Sequence, residues 1–126
     1  MWRYVQALCA CAAALGGCGG TDDTPTRTVQ VGAGESVRVT AREYSFDPGG
    51  LVFKSAGTVR ITLDNRGSLA HNIKVLEDGR EIGGTESFAG GGERTAAVEL
   101  RRGKYRLVCT VGDHEEKGMR GTLQVR

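Results

Sequence analysis

The sequence predicts an all-β protein, a Greek-key β-sandwich of seven to eight strands. Short runs rich in Val, Ile, Leu and Thr alternate apolar with polar residues, the period of a half-buried strand. Turn-forming residues punctuate these runs, and 20 of the 126 residues are glycine. Apolar residues do not recur at helical spacing for more than a turn or two.

The strand-like text starts at Thr28 with "TVQV". In "SVRVTARE", Val37, Val39 and Ala41 oppose Arg38, Thr40 and Arg42. "LVFK" follows "DPGG", where Pro48 and two glycines favour a sharp reversal. "TVRITLDN" places Val59, Ile61 and Leu63 on one face. "HNIKVLEDGREI" reads as a strand beginning at His71, an Asp-Gly turn and a second short strand. "RTAAVEL" and "KYRLVC" flank "RRG", which reads as another hairpin, and "GTLQVR" closes the chain with Leu123 and Val125 on one face.

The length suits one domain. Lys and Arg number 17 against 15 Asp and Glu, with no basic block, so nucleic acid is not an expected partner. Nothing in the pattern calls for more than a monomer. Residues 1–17 read as a signal peptide: Arg3 in a short leading region, then the apolar "VQALCACAAALGG", too short to span a bilayer. The run ends in "LGGC", which resembles a bacterial lipobox and marks Cys18 for lipidation. An ordinary secretory signal cleaved at a nearby small residue is the alternative. Residues 18–27 are small and polar, a flexible lipid-anchored tether, and residues 28–126 form the domain. The expected location is the periplasmic or extracellular face of a membrane.

Of four cysteines, Cys9 and Cys11 fall in the removed segment and Cys18 takes the lipid, which leaves Cys109 as the only thiol of the mature domain. An exported protein keeps a lone thiol either buried and inert or occupied, and a metal would occupy it. Tyr105, Leu107 and Cys109 share parity, so the thiol starts on the inner face at a strand end. Cys109, His114 and Met119 then follow at five-residue steps in "CTVGDHEEKGM". Each has a bland alternative: a small buried hydrophobe, a surface histidine among acids, a core plug. The one other histidine, His71, completes a set of His71, Cys109, His114 and Met119. Two imidazoles and a thiolate with a weak axial thioether are the ligands of mononuclear type 1 copper. Thiolate and thioether favour Cu(I), imidazole also binds Cu(II), and zinc can occupy the same ligands.

"GKYRLVCTVGDHEEKGMRGTLQV" resembles the C-terminal copper loop of cupredoxins of the plastocyanin/azurin family, with gaps similar to those of auracyanin-like members. "EYSFDPGGLVFKSAGTVRITLDNRGSLAHN" adds the family's features at Phe46, Pro48, Gly57, Val59, Asn65, His71 and Asn72. Together they span about residues 36–126. The resemblance implies that Asn72 ties the two ligand loops together, with Thr110 completing the tie, and that electrons pass through the near-surface His114. Two departures stand out. Gly112-Asp113 replaces the usual Pro-Gly, and Asp113, Glu115, Glu116 and Lys117 flank His114 where relatives carry apolar residues. These acids, and Arg101 with Arg102, read as solvated surface or as docking groups.

The expected function is one-electron transfer to redox partners at the membrane surface, not an enzymatic one. Copper trafficking is the alternative, but it favours exposed Met- and His-rich segments, and this chain has two Met and two His. A catalytic second copper needs further histidines, and both are already assigned. A Cys–His nucleophile would leave Met119 and the other histidine without a role. Mass spectrometry of the mature protein is expected to find a lipidated Cys18 at its N-terminus. An unlipidated terminus elsewhere overturns the lipoprotein reading.

Overall fold

The computed structural model describes residues 27–126. The expected signal peptide, the expected lipidation of Cys18 and nearly all of the expected tether lie outside the described residues. Among the described residues every regular element is a strand, and no helix is long and apolar enough to cross a membrane.

The strands are β1 (Thr28–Val31), β2 (Ser36–Arg42), β3 (Ser45–Asp47), β4 (Gly50–Phe53), β5 (Gly57–Asn65), β6 (Lys74–Glu77), β7 (Arg80–Gly84), β8 (Glu93–Leu100), β9 (Gly103–Val108) and β10 (Arg120–Val125). They form a six-stranded sheet in the order β1-β4-β10-β9-β6-β7 and a four-stranded sheet in the order β3-β2-β5-β8. The chain passes repeatedly from one sheet to the other, as Greek-key sandwiches do. Both sheets are mixed: β4 runs parallel to β1 and β10, and β2 runs parallel to β5.

Ten strands replace the expected seven to eight. Ser45–Asp47 is too short to display a period, whereas β7 is the short strand expected after the Asp-Gly turn. One expected reversal and one expected hairpin are instead crossings between sheets. "DPGG" carries the chain from β3 in the smaller sheet to β4 in the larger. "RRG" does the same from β8 to β9, and the Tyr105 hydroxyl donates to the Arg101 carbonyl at 2.7 Å across that corner. Turn residues announce a change of direction but not which sheet receives the next strand. The "EDGR" turn does close a hairpin, β6 to β7, with Asp78 at φ 48° and Gly79 at φ 79°. Two successive left-handed residues match the strand twist, and Asp-Gly tolerates them.

Alternation sends Val59, Ile61 and Leu63 of β5, and Ala96, Val98 and Leu100 of β8, inward against Leu107, Leu123 and Val125 of the opposite sheet. β4 sits between two neighbours and is buried along its whole length, so its apolar run does not alternate. This core fixes the ends of β5, β6, β9 and β10, from which the candidate site is built. Leu63 is 0 % exposed, and Leu63→Ala is expected to cost about 2–5 kcal/mol of unfolding free energy in urea denaturation.

Candidate metal centre

Cys109 follows the last residue of β9 and lies on the inner face, as its parity with Tyr105 and Leu107 requires. Its N–H donates to the Met119 carbonyl at 3.0 Å, so the β9–β10 ladder continues one step beyond the strands. Between these residues the chain turns on itself. His114 N–H bonds the Val111 carbonyl, Lys117 the Asp113 carbonyl, Gly118 the Glu115 carbonyl and Met119 the His114 carbonyl, at 3.0–3.1 Å. These bonds satisfy part of the loop's own backbone and return His114 and Met119 to the sandwich.

His71 arrives on a different loop. It does not begin a strand as expected: β6 starts at Lys74, and His71 makes an isolated antiparallel bridge with Phe88, its N–H and carbonyl both paired at 3.1 Å. Asn65, at the end of β5, organises this loop. Its amide donates to the Leu69 and Phe88 carbonyls at 3.0 and 2.9 Å, and its Oδ1 accepts from Gly67 N–H at 3.0 Å.

The ligand atoms of His71, Cys109 and His114 all lie within 4.8 Å of one another, and all three residues are buried. Cys109 Sγ is 3.6 Å from His114 Nδ1 and 4.0 Å from His71 Nδ1. Such separations suit bonds of about 2.0–2.3 Å to one central ion. Sulfur forms weak hydrogen bonds, so these contacts alone do little to offset the burial of two imidazoles and a thiol. A soft cation among them would. Met119 is fully buried in the core beside the triangle. The donor set therefore fits a metal, and its mixture of thiolate, thioether and imidazole fits copper in both common oxidation states.

Asn72 and Thr110 join the two loops by reciprocal bonds: Asn72 Nδ2 donates to Thr110 Oγ1, and Thr110 N–H donates to Asn72 Oδ1, both at 2.8 Å. Among the acids near His114, Glu115 pairs with Arg106 at 2.9 Å and Asp113 with Lys117 at 3.4 Å. Arg101 is exposed and lies 4.0 Å from Glu77.

Two residues that sequence reasoning passed over also meet the site. Glu43 and Tyr44 form the turn between β2 and β3. Glu43 Oε1 lies 3.0 Å from His71 Nε2 and accepts from the N–H groups of Ser68 and Leu69 at 2.9 and 2.8 Å. The Tyr44 ring meets the His114 ring edge-on at 5.0 Å, with the Lys117 ammonium 4.7 Å from the tyrosine ring centre. The sequence signal was slight, since one acid and one aromatic in a turn are common.

No protein-family model and no curated protein sequence matches the chain. Solved structures do. The auracyanin of the photosynthetic bacterium Roseiflexus castenholzii is 18 % identical, with a TM-score of 0.66 over 72 % of this chain and 96 % of its own. An azurin of Methylomonas sp. strain J is 16 % identical, with a TM-score of 0.64 over 73 % and 98 %. Auracyanin A of Chloroflexus aurantiacus, described as a "blue" copper protein, is 18 % identical, with a TM-score of 0.63 over 79 % and 100 %. The likeness establishes the fold, the β-sandwich that the resemblance to cupredoxins implies.

The Leu69 N–H is the main cause, aided by the His71 ring and the Ser68 N–H, that lowers the Glu43 carboxyl from an ordinary 4.5 to about 2, against an opposing effect of burial. A depressed carboxyl stabilises the fold fully above 4.5 and loses that contribution as pH falls through about 2. Urea titrations of the metal-free protein are expected to show Glu43→Gln less stable than wild type near neutral pH, with the deficit shrinking across that acid window.

Proposed function

We propose that this protein is a one-electron carrier in which His71, Cys109 and His114, with Met119 as a weaker fourth ligand, would hold a single type 1 copper ion. The observation that carries the reading is the buried triangle of two imidazoles and one thiol, whose ligand atoms lie within 4.8 Å of one another beside a fully buried Met119. Copper held there would supply reversible exchange between Cu(II) and Cu(I). The chain supplies rigidity. Three of the four ligands sit at the roots or crest of one self-bonded loop, and the fourth is clasped to it through Asn72 and Thr110. Ligands that cannot rearrange suit an ion whose two states prefer different geometries, because little reorganisation then accompanies electron movement.

The sandwich excludes water from His71, Cys109 and Met119, each 0 % exposed, while His114 is 6 % exposed. Electrons would therefore pass at the His114 end. Such burial also weighs against copper trafficking, which needs a metal that leaves readily. The lipid anchor proposed at Cys18 would restrict the domain to redox proteins near the outer side of the cytoplasmic membrane. The domain would act there as a monomer.

Residues 28–126 mixed with Cu(II) are expected to give an intense blue thiolate-to-copper charge-transfer band, lost in Cys109→Ser. A colourless, folded protein would remove the basis for electron transfer. Rapid loss of copper to a strong Cu(I) chelator would favour trafficking instead.

A further inference from the structure

We infer that Glu43 is the positioning residue of the centre: its carboxylate dictates which nitrogen of His71 carries the proton, and its charge favours the more positive state of a bound metal. The second half rests on the copper reading above, and the first half does not.

An ionised carboxylate can only accept hydrogen bonds. With Glu43 Oε1 3.0 Å from His71 Nε2, the proton of the neutral ring belongs on Nε2. Nδ1 is then left with a free lone pair, and Nδ1 is the atom that faces Cys109 Sγ. The His71 ring is fully buried, so water does not compete for Nε2. The carboxylate is itself fixed, because the same oxygen accepts from the N–H groups of Ser68 and Leu69. Asn65 holds the loop that offers these donors, through Gly67 N–H and the Leu69 carbonyl.

Gly67 gives independent support. A Cβ at this position would collide with Glu43 Oε1 and come within 2.8 Å of His71 Nε2. The contact between carboxylate and imidazole thus occupies space that only glycine leaves open. The turn that supplies Glu43 also supplies Tyr44, which packs against the other imidazole, His114. One two-residue turn therefore addresses both histidines. Carboxylates in this outer position raise ligand basicity and orient the ring, and their loss typically weakens metal binding about 10–100-fold.

The test uses two readouts on wild type, Glu43→Gln, Glu43→Ala and Gly67→Ala. The first is the ¹⁵N shift pattern of His71 in the metal-free protein. Wild type is expected as the Nε2–H tautomer. Glu43→Gln keeps an acceptor and should keep it, whereas Glu43→Ala and Gly67→Ala should give a mixture. The second readout is copper binding and reduction potential. Glu43→Ala should bind Cu(II) about 10–100-fold more weakly. Glu43→Gln should shift the preference toward Cu(I) about tenfold, a rise of about 59 mV for one electron. If Glu43→Ala does not fold, the isosteric Gln variant and Gly67→Ala carry the test. An Nδ1–H tautomer in wild type, or a wild-type tautomer and potential in all three variants, overturns the inference. If no variety of copper binds but the tautomer pattern is as expected, the copper reading fails and the positioning role stands.

Discussion

Two hydrogen bonds between Asn72 and Thr110 hold together parts of the chain that are 38 residues apart. Everything at the candidate centre depends on that junction. His71 belongs to the loop after β5, and the other three proposed ligands belong to the turn between β9 and β10. Neither segment gathers the donors alone. A side-chain amide suits the task because it donates and accepts at once, and each of its partners lies on Thr110. The junction also satisfies polar groups at the rim of the core, where unpaired ones would cost about 1–3 kcal/mol each.

The same economy recurs around the ring of loops. Asn65 serves the His71 loop as Asn72 serves the junction, with three bonds from one side chain. Glu43 Oε1 gathers two backbone amides and an imidazole. Every buried side-chain nitrogen and oxygen among the described residues has a partner. The sandwich supplies an apolar wall on one side, and these short-range polar bonds arrange the other. Rigidity at the centre comes from their combination, because a packed core resists displacement and saturated polar groups have no alternative partner to seek.

Much of this was legible in the sequence, for identifiable reasons. Strand period located the faces of β2, β5, β9 and β10, because each packs one face on the core. Parity put Cys109 inward, and the scarcity of histidine singled out His71 and His114 as the two to be brought together. What stayed hidden was non-local. Pairing of β4 with β1 and β10 leaves no mark in the four residues of β4. The crossings at "DPGG" and "RRG" deliver β4 and β9 to interior positions of the larger sheet, each beside a strand distant in sequence. Glu43 and Tyr44 were invisible because their importance comes from what the turn touches, more than 20 residues away, and not from the turn itself.

The hydrogen bond from Cys109 N–H to the Met119 carbonyl closes the base of the loop at 3.0 Å, and the backbone-to-backbone bonds above it stay within the loop, while side chains tie it to Asn72 and Arg106. The segment is thus a cassette with a largely internal backbone ladder, inserted between two strands and anchored at Thr110 near its base. Insertions or deletions between Cys109 and His114, or between His114 and Met119, would leave the sheets untouched, since loop-closure entropy changes slowly with length. They would change how far the His114 edge stands from the sandwich. Divergence among proteins with this architecture can therefore proceed by altering the length of one loop, with the two sheets as a constant frame.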